Sequence, residues 1–160
     1  MTILAFNRQD AAVPRVKIID RQCDDFPFWK QKYGTLVQSI RMISCTGRNV
    51  WKPQARRWST SAIGVDDQDK VLFIHVRALY STYDLINILK KLPLNISRAM
   101  YTEGGPQAQL YLITGDQELE LTGSYETGSN NANESSISWP LPNVLGILKG
   151  FDNTNFKNTN

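Results

Sequence analysis

Apolar and polar positions alternate over much of this chain with the period of two that marks half-buried strands. Val13-Pro14-Arg15-Val16-Lys17-Ile18-Ile19-Asp20 alternates as a short strand. Asp24-Asp25 then leads into Phe26 to Gly34, where acids at the start and a glycine at the end predict a short helix. Thr35 to Ile43 predicts a strand with one half-polar face, followed by a Gly-Arg-Asn turn and the aromatic and basic stretch Trp51 to Trp58. Ser59 to Val65 and Lys70 to Arg77 predict a hairpin joined by Asp66-Asp67-Gln68-Asp69. The clearest helix is Thr82 to Leu92. Ser81 is a suitable N-cap with Asp84 three residues on, Leu85, Leu89 and Leu92 fall on one stripe, and Pro93 stops it. A strand from Ile96 to Thr102 runs into Glu103-Gly104-Gly105-Pro106, which predicts a turn. A second hairpin pairs Gln109 to Thr114 with Glu118 to Ser124. Tyr125 to Ser138 reads as a long polar loop, Asn143 to Leu148 as a last strand and Phe151 to Asn160 as a frayed tail.

Strands outnumber helices, neighbouring strands are joined by hairpins, and one helix bridges two of them. The expected class is α+β: a mixed, largely antiparallel sheet with one or two packing helices, in a single domain over 1–150. A 160-residue chain with 41% apolar and 21% charged residues can bury a sizeable core. The net charge of +3 and the scattered basic residues argue against a nucleic-acid partner. No apolar stretch approaches the roughly 18 residues of a membrane span. Met1 to Arg8 lacks the basic start and long apolar centre of a secretory signal.

The candidate chemistry is sparse. Cys23 and Cys45 suffice for one bridge but not for a disulfide framework, and His75 with no CxxC does not make a zinc site, so no metal or cofactor is expected. Glu103 would put a carboxylate at the mouth of the sheet. Gly104 and Gly105 would bare their N–H groups to a sugar or phosphate. Trp51 and Trp58 are candidates for stacking on a sugar ring, although tryptophan beside a strand is more often packing. His75 alternates to the face opposite Ile74 and Val76 and reads as structural.

The order of the pieces is more telling than any one of them. Leu36-Val37-Gln38-Ser39 precedes Arg57-Trp58-Ser59-Thr60-Ser61-Ala62-Ile63-Gly64-Val65-Asp66, then Val71-Leu72-Phe73-Ile74 and Tyr80-Ser81-Thr82-Tyr83-Asp84-Leu85. The Glu-Gly-Gly-Pro turn, Gly123-Ser124-Tyr125-Glu126-Thr127-Gly128 and Pro142-Asn143-Val144-Leu145-Gly146-Ile147 complete the series. From about Tyr33 to Ile147 this order resembles the phosphodiester glycosidase family, the domain shared with the enzyme that uncovers mannose 6-phosphate. The resemblance implies hydrolysis of a sugar joined through its anomeric carbon to phosphate; the best-known reaction of the family removes N-acetylglucosamine that caps mannose 6-phosphate. It also implies an exported or periplasmic setting in full-length relatives.

Carried onto this chain, the resemblance makes Glu103 the principal carboxylate, with Glu126 as the second, and Arg57 the phosphate clamp. Gly104, Gly105, Gln38, Ser39 and Tyr125 are the remaining substrate-binding candidates. Many relatives read Asp-Gly-Gly where Glu103 stands, and carry an arginine where this chain has Thr60, with Arg56 and Arg57 close by. The family domain usually starts further upstream, so the chain is expected to be its C-terminal part, with open sheet edges that invite self-association. The alternative expectation is a glycan- or polymer-binding module without turnover.

Overall fold

The computed structural model describes residues 1–125 and 138–148. Within them, the run Ile3-Leu4-Ala5-Phe6 forms the middle of strand β1 (Thr2–Arg8). The run is continuous because both of its faces are covered, as in any strand at the centre of a layered core. β1 is flanked antiparallel by β2 (Lys17–Asp20) and β3 (Tyr33–Ser39). Between these lies helix α1 (Phe26–Lys30), where the Asp25 carboxylate accepts the Phe28 N–H at 3.1 Å as an N-cap.

The strand expected over Thr35 to Ile43 is two strands in two sheets. The Ile40 carbonyl accepts the Tyr101 N–H at 2.9 Å, and the chain crosses there into β4 (Arg41–Ile43) of the second sheet. That sheet also holds β5 (Trp58–Asp66), β6 (Val71–Tyr80) and β7 (Ile96–Gly104), in the order β4-β7-β5-β6. The β5–β6 hairpin forms as expected: the Asp66 carboxylate accepts the N–H groups of Gln68 and Lys70, each at 2.8 Å. Helix α2 (Thr82–Lys91) carries the chain from β6 to β7, which lie on either side of β5. Its cap is the expected one, Ser81 Oγ accepting the Asp84 N–H at 3.1 Å. Its buried face is Leu85, Ile86 and Leu89. Leu92 falls at the C-cap, past the last helical turn, and is exposed.

The layers run α1, first sheet, second sheet, α2, and strand alternation assigns side chains to each interface. Ile3, Ala5, Ile19 and Tyr33 pack with Phe26 and Trp29 of α1. Leu4 and Ile18, from the other face of that sheet, meet Ile63, Val65 and Met100 of the second. Ala62, Ala99, Met42 and Ile43 turn outward to Leu85, Ile86 and Leu89 of α2. Polar links pin the two sheets together. Cys23, after β2, is disulfide-bonded to Cys45, after β4. Arg98 of β7 is paired with Asp24 and also donates to the Ile18 carbonyl at 2.8 Å. Asp20 is fully buried and accepts from the N–H groups of Gln22 and Cys45 and from Arg41.

Further differences from expectation bear on the site. Glu103 and Gly104 continue β7, and the turn itself is a short 3₁₀ helix over Gly105–Gln107. The second hairpin is present but shorter, as β8 (Leu110–Thr114) and β9 (Gln117–Leu121). No strand forms over Asn143 to Leu148. Pro140 and Pro142 remove two ladder donors just before it, and only Leu145 docks on the inter-sheet core while Val144, Ile147 and Leu148 stay exposed. Apart from Tyr125 and Ser138, the expected polar loop lies outside the described residues, as does the tail from Phe151 to Asn160. Among the described residues no helix is long and apolar enough to cross a membrane.

Candidate functional site

The heads of β5 and β7 build the site. Thr60 pairs with Gly104 and Ala62 with Tyr101, and the irregular register between these pairs puts Tyr101 and Gly104 side by side on β7. Trp58 and Tyr101 crowd the space above Gly104. A Cβ there would stand 2.7 Å from Trp58 Cδ1 and Nε1, and closer still to the Tyr101 hydroxyl. Glycine at 104 therefore makes room for two aromatic side chains on the strand. Gly105 turns the chain with φ +68°, a left-handed conformation that favours glycine. Trp58, Tyr101, Gly104, Gly105, Pro106, Gln107, Tyr125 and Trp139 line a cavity of about 310 Å³.

A second cavity, of about 510 Å³, adjoins it and is lined by Ala55, Arg56, Arg57, Trp58 and Tyr125. Trp58 and Tyr125 belong to both, and an antiparallel bridge joins their backbones. The result is a cleft with an aromatic end and an end carrying two guanidinium groups. Faces of aromatic rings suit the C–H surfaces of a sugar. Guanidinium groups suit phosphate oxygens, which they grip in pairs.

The residues singled out from sequence fall into distinct places. Arg57, Gly104, Gly105 and Tyr125 line the cleft. Glu103 lines neither cavity: it is exposed, lies opposite Ser61, and its carboxylate accepts the Gly104 N–H at 3.2 Å. It still acts on the cleft through its charge. The Tyr101 hydroxyl is pushed up to about 12 by burial first and by Glu103 second, with the Trp58 indole N–H pulling the other way. Tyr101 is thus a protonated donor at physiological pH. Ser39 Oγ donates to the Tyr101 carbonyl and so braces β7 behind the cavity, while Gln38 is exposed; neither lines the cleft. Glu126 follows Tyr125 directly and lies outside the described residues.

Of the two tryptophans considered for stacking, Trp58 stands at the centre of the cleft. Trp51 packs on the α2-side core, donates its indole N–H to the Arg41 carbonyl at 2.8 Å, and sits 5.6 Å from the Tyr101 ring. His75 Nδ1 lies 3.3 Å from Ser61 Oγ. Burial first, and the charge of Arg77 second, lower its pKa from the usual 6.5, so it is neutral at pH 7. Tyr101, Pro106, Gln107 and Trp139 were not anticipated as site residues. For Tyr101 and Trp139 the only signal was an aromatic ring close to the glycine pair or to the prolines. Asp20, Cys23 and Cys45 bring their ligand atoms within 4.8 Å of one another. Those sulfurs are bonded to each other, however, and the carboxylate already accepts two N–H groups and a guanidinium.

The fold is α+β with antiparallel sheets, and it carries a cleft that is aromatic at one end and cationic at the other. The chain belongs to the phosphodiester glycosidase family, whose family model matches residues 2–148. The match begins well upstream of Tyr33 and takes in β1 and β2. No curated protein and no solved structure matches the chain.

Proposed function

We propose that this protein hydrolyses glycosyl phosphodiesters, with the sugar in the aromatic cavity and the phosphate at Arg56 and Arg57. One observation carries the reading beyond family membership: the aromatic and cationic cavities meet at Trp58 and Tyr125, as a substrate with an apolar ring face joined to an anion requires. In the reaction the bond between the anomeric carbon and the phosphate oxygen breaks and its electron pair stays on that oxygen. Water adds to the anomeric carbon and releases a proton, yielding a free sugar and a phosphomonoester. The departing phosphate is a stable anion, so cationic and N–H donors do much of the work that an acid does in ordinary glycoside hydrolysis.

Glu103 is assigned as the rim carboxylate that supports the oxocarbenium-like transition state. Its proximity to Tyr101 and Gly104 supports this role. The test is release of N-acetylglucosamine from its diester with mannose 6-phosphate. Glu103→Gln should slow turnover by at least about 100-fold, the lower range for loss of a positioned carboxylate, with binding little changed. A wild-type protein that binds the diester without hydrolysing it would establish a binding module instead.

A further inference from the structure

A polar atom of a residue in the wall of the aromatic cavity lacks a partner. Trp58 Nε1 is buried and no acceptor meets it at hydrogen-bonding geometry. The nearby Tyr101 oxygen crowds the same point above Gly104, close enough to feel the indole N–H but not aligned to accept from it. The Tyr101 hydroxyl has the Trp58 indole N–H as its neighbour, while its ring lies against Trp51 and its carbonyl is held by Ser39. A tyrosine whose ring and backbone are anchored and whose hydroxyl lies beside an indole N–H, in the wall of a cavity, is a donor held ready for a ligand.

We infer that the Tyr101 hydroxyl, oriented by the Trp58 indole N–H, is the specificity-determining donor that binds an oxygen substituent of the sugar ring. This rests on the reading of the aromatic cavity as the sugar site. The indole N–H can satisfy itself by donating to the Tyr101 oxygen, which stands beside it over Gly104, a small adjustment of two adjacent side chains. That bond consumes the oxygen lone pair facing Trp58 and turns the hydroxyl proton away, toward the cavity. A ring lacking the matching oxygen would leave both groups unpaired, and a site built this way rejects such a ligand far more strongly than a merely apolar pocket does. The chain supplies the pair from different strands, so the donor is set by the β5–β7 register rather than by a flexible loop.

The experiment is a fluorescence titration of the full chain with N-acetylglucosamine 1-phosphate, using the tryptophans of the cleft as reporters, beside a thermal melt. Wild-type protein should bind, and Tyr101→Phe should bind at least tenfold more weakly while it stays folded and melts cooperatively, with a melting temperature lowered by no more than the loss of the single indole hydrogen bond. Trp58→Phe should weaken binding in the same direction. Equal affinity of Tyr101→Phe and wild type, or no binding by wild type, overturns the inference. Turnover of the diester is read separately. Binding without turnover leaves this inference standing and removes the hydrolase reading; turnover with unaltered Tyr101→Phe does the reverse.

Discussion

Gly104→Ala separates two physical reasons for the glycine pair. If Gly104 is present only to bare its amide, a methyl group would block a ligand and leave the protein stable. If it is present to admit the rings of Trp58 and Tyr101, a methyl group must displace them. The added carbon would lie 2.7 Å from Trp58 Cδ1 and Nε1. Carbon atoms rest at about 3.5–4.0 Å, so the indole has to retreat by roughly 1 Å. Tyr101 must move further, but its ring is wedged against Trp51 and its backbone is paired within the sheet. Overpacking of this kind costs about 1–3 kcal/mol. In a chain of 160 residues that lowers the melting temperature by roughly 3–10 °C. Calorimetry on Gly104→Ala measures it, with Gly146→Ala as the control, since a Cβ at 146 meets nothing within 4 Å. The same variant should lose affinity for N-acetylglucosamine 1-phosphate, because the displaced rings are the cavity wall. A melting temperature within about 1 °C of wild type, together with unaltered affinity, would refute the packing argument, given that even the smallest expected cost shifts it by more.

Removing the bridge between Cys23 and Cys45, by Cys23→Ser with Cys45→Ser or by a reductant, frees a 22-residue separation in the unfolded chain. The loop-closure entropy of that length is worth about 3 kcal/mol. The melting temperature should fall by roughly 10 °C, and an unchanged value would mean that the Asp20 and Asp24 contacts hold the sheets together unaided. Acid should destabilise the fold in two stages. The lowered His75 pKa contributes stability that is complete above the usual value of 6.5 and is lost as pH falls through its lower folded value. Burial alone would raise the Asp20 pKa, but the N–H groups of Cys45 and Gln22 and the charges of Arg41 and Arg98 outweigh it and hold it below 3.8. Its contribution therefore persists above the ordinary carboxylate range and disappears only at lower pH. Urea melts from pH 8 to pH 3 should show both declines, the upper one missing in His75→Gln; a flat profile between pH 7 and 5 would contradict the histidine assignment.

Where local chemistry decides structure, the chain was readable. Ser81 and Asp84 mark the start of α2, Pro93 follows its end, and Asp66 closes the β5–β6 hairpin, because each acts on backbone groups within four residues. Ile40 shows where such reading stops. Nothing between Thr35 and Ile43 signals a break, since the cause is Tyr101, sixty residues away in β7, whose N–H takes the Ile40 carbonyl. The missed β1 has a different cause: its apolar run lacks alternation because both faces are covered, which leaves no period to detect.

The site follows the same division. The glycine pair stands out in sequence, and it does lie in the cavity wall, but the physical reason for Gly104 is the space taken by Trp58 and Tyr101. That reason is invisible along the chain, because Trp58 and Tyr101 come together only through the pairing of β5 with β7, and Tyr125 and Trp139 come from segments further on. A cleft whose wall is assembled from four separate stretches has its chemistry in the strand register. Changes that shift the register, such as a proline in the middle of β5, should therefore abolish binding as completely as loss of the rings themselves. Substitutions on the exposed face of β8 and β9, which shares no residue with either cavity, should leave it intact.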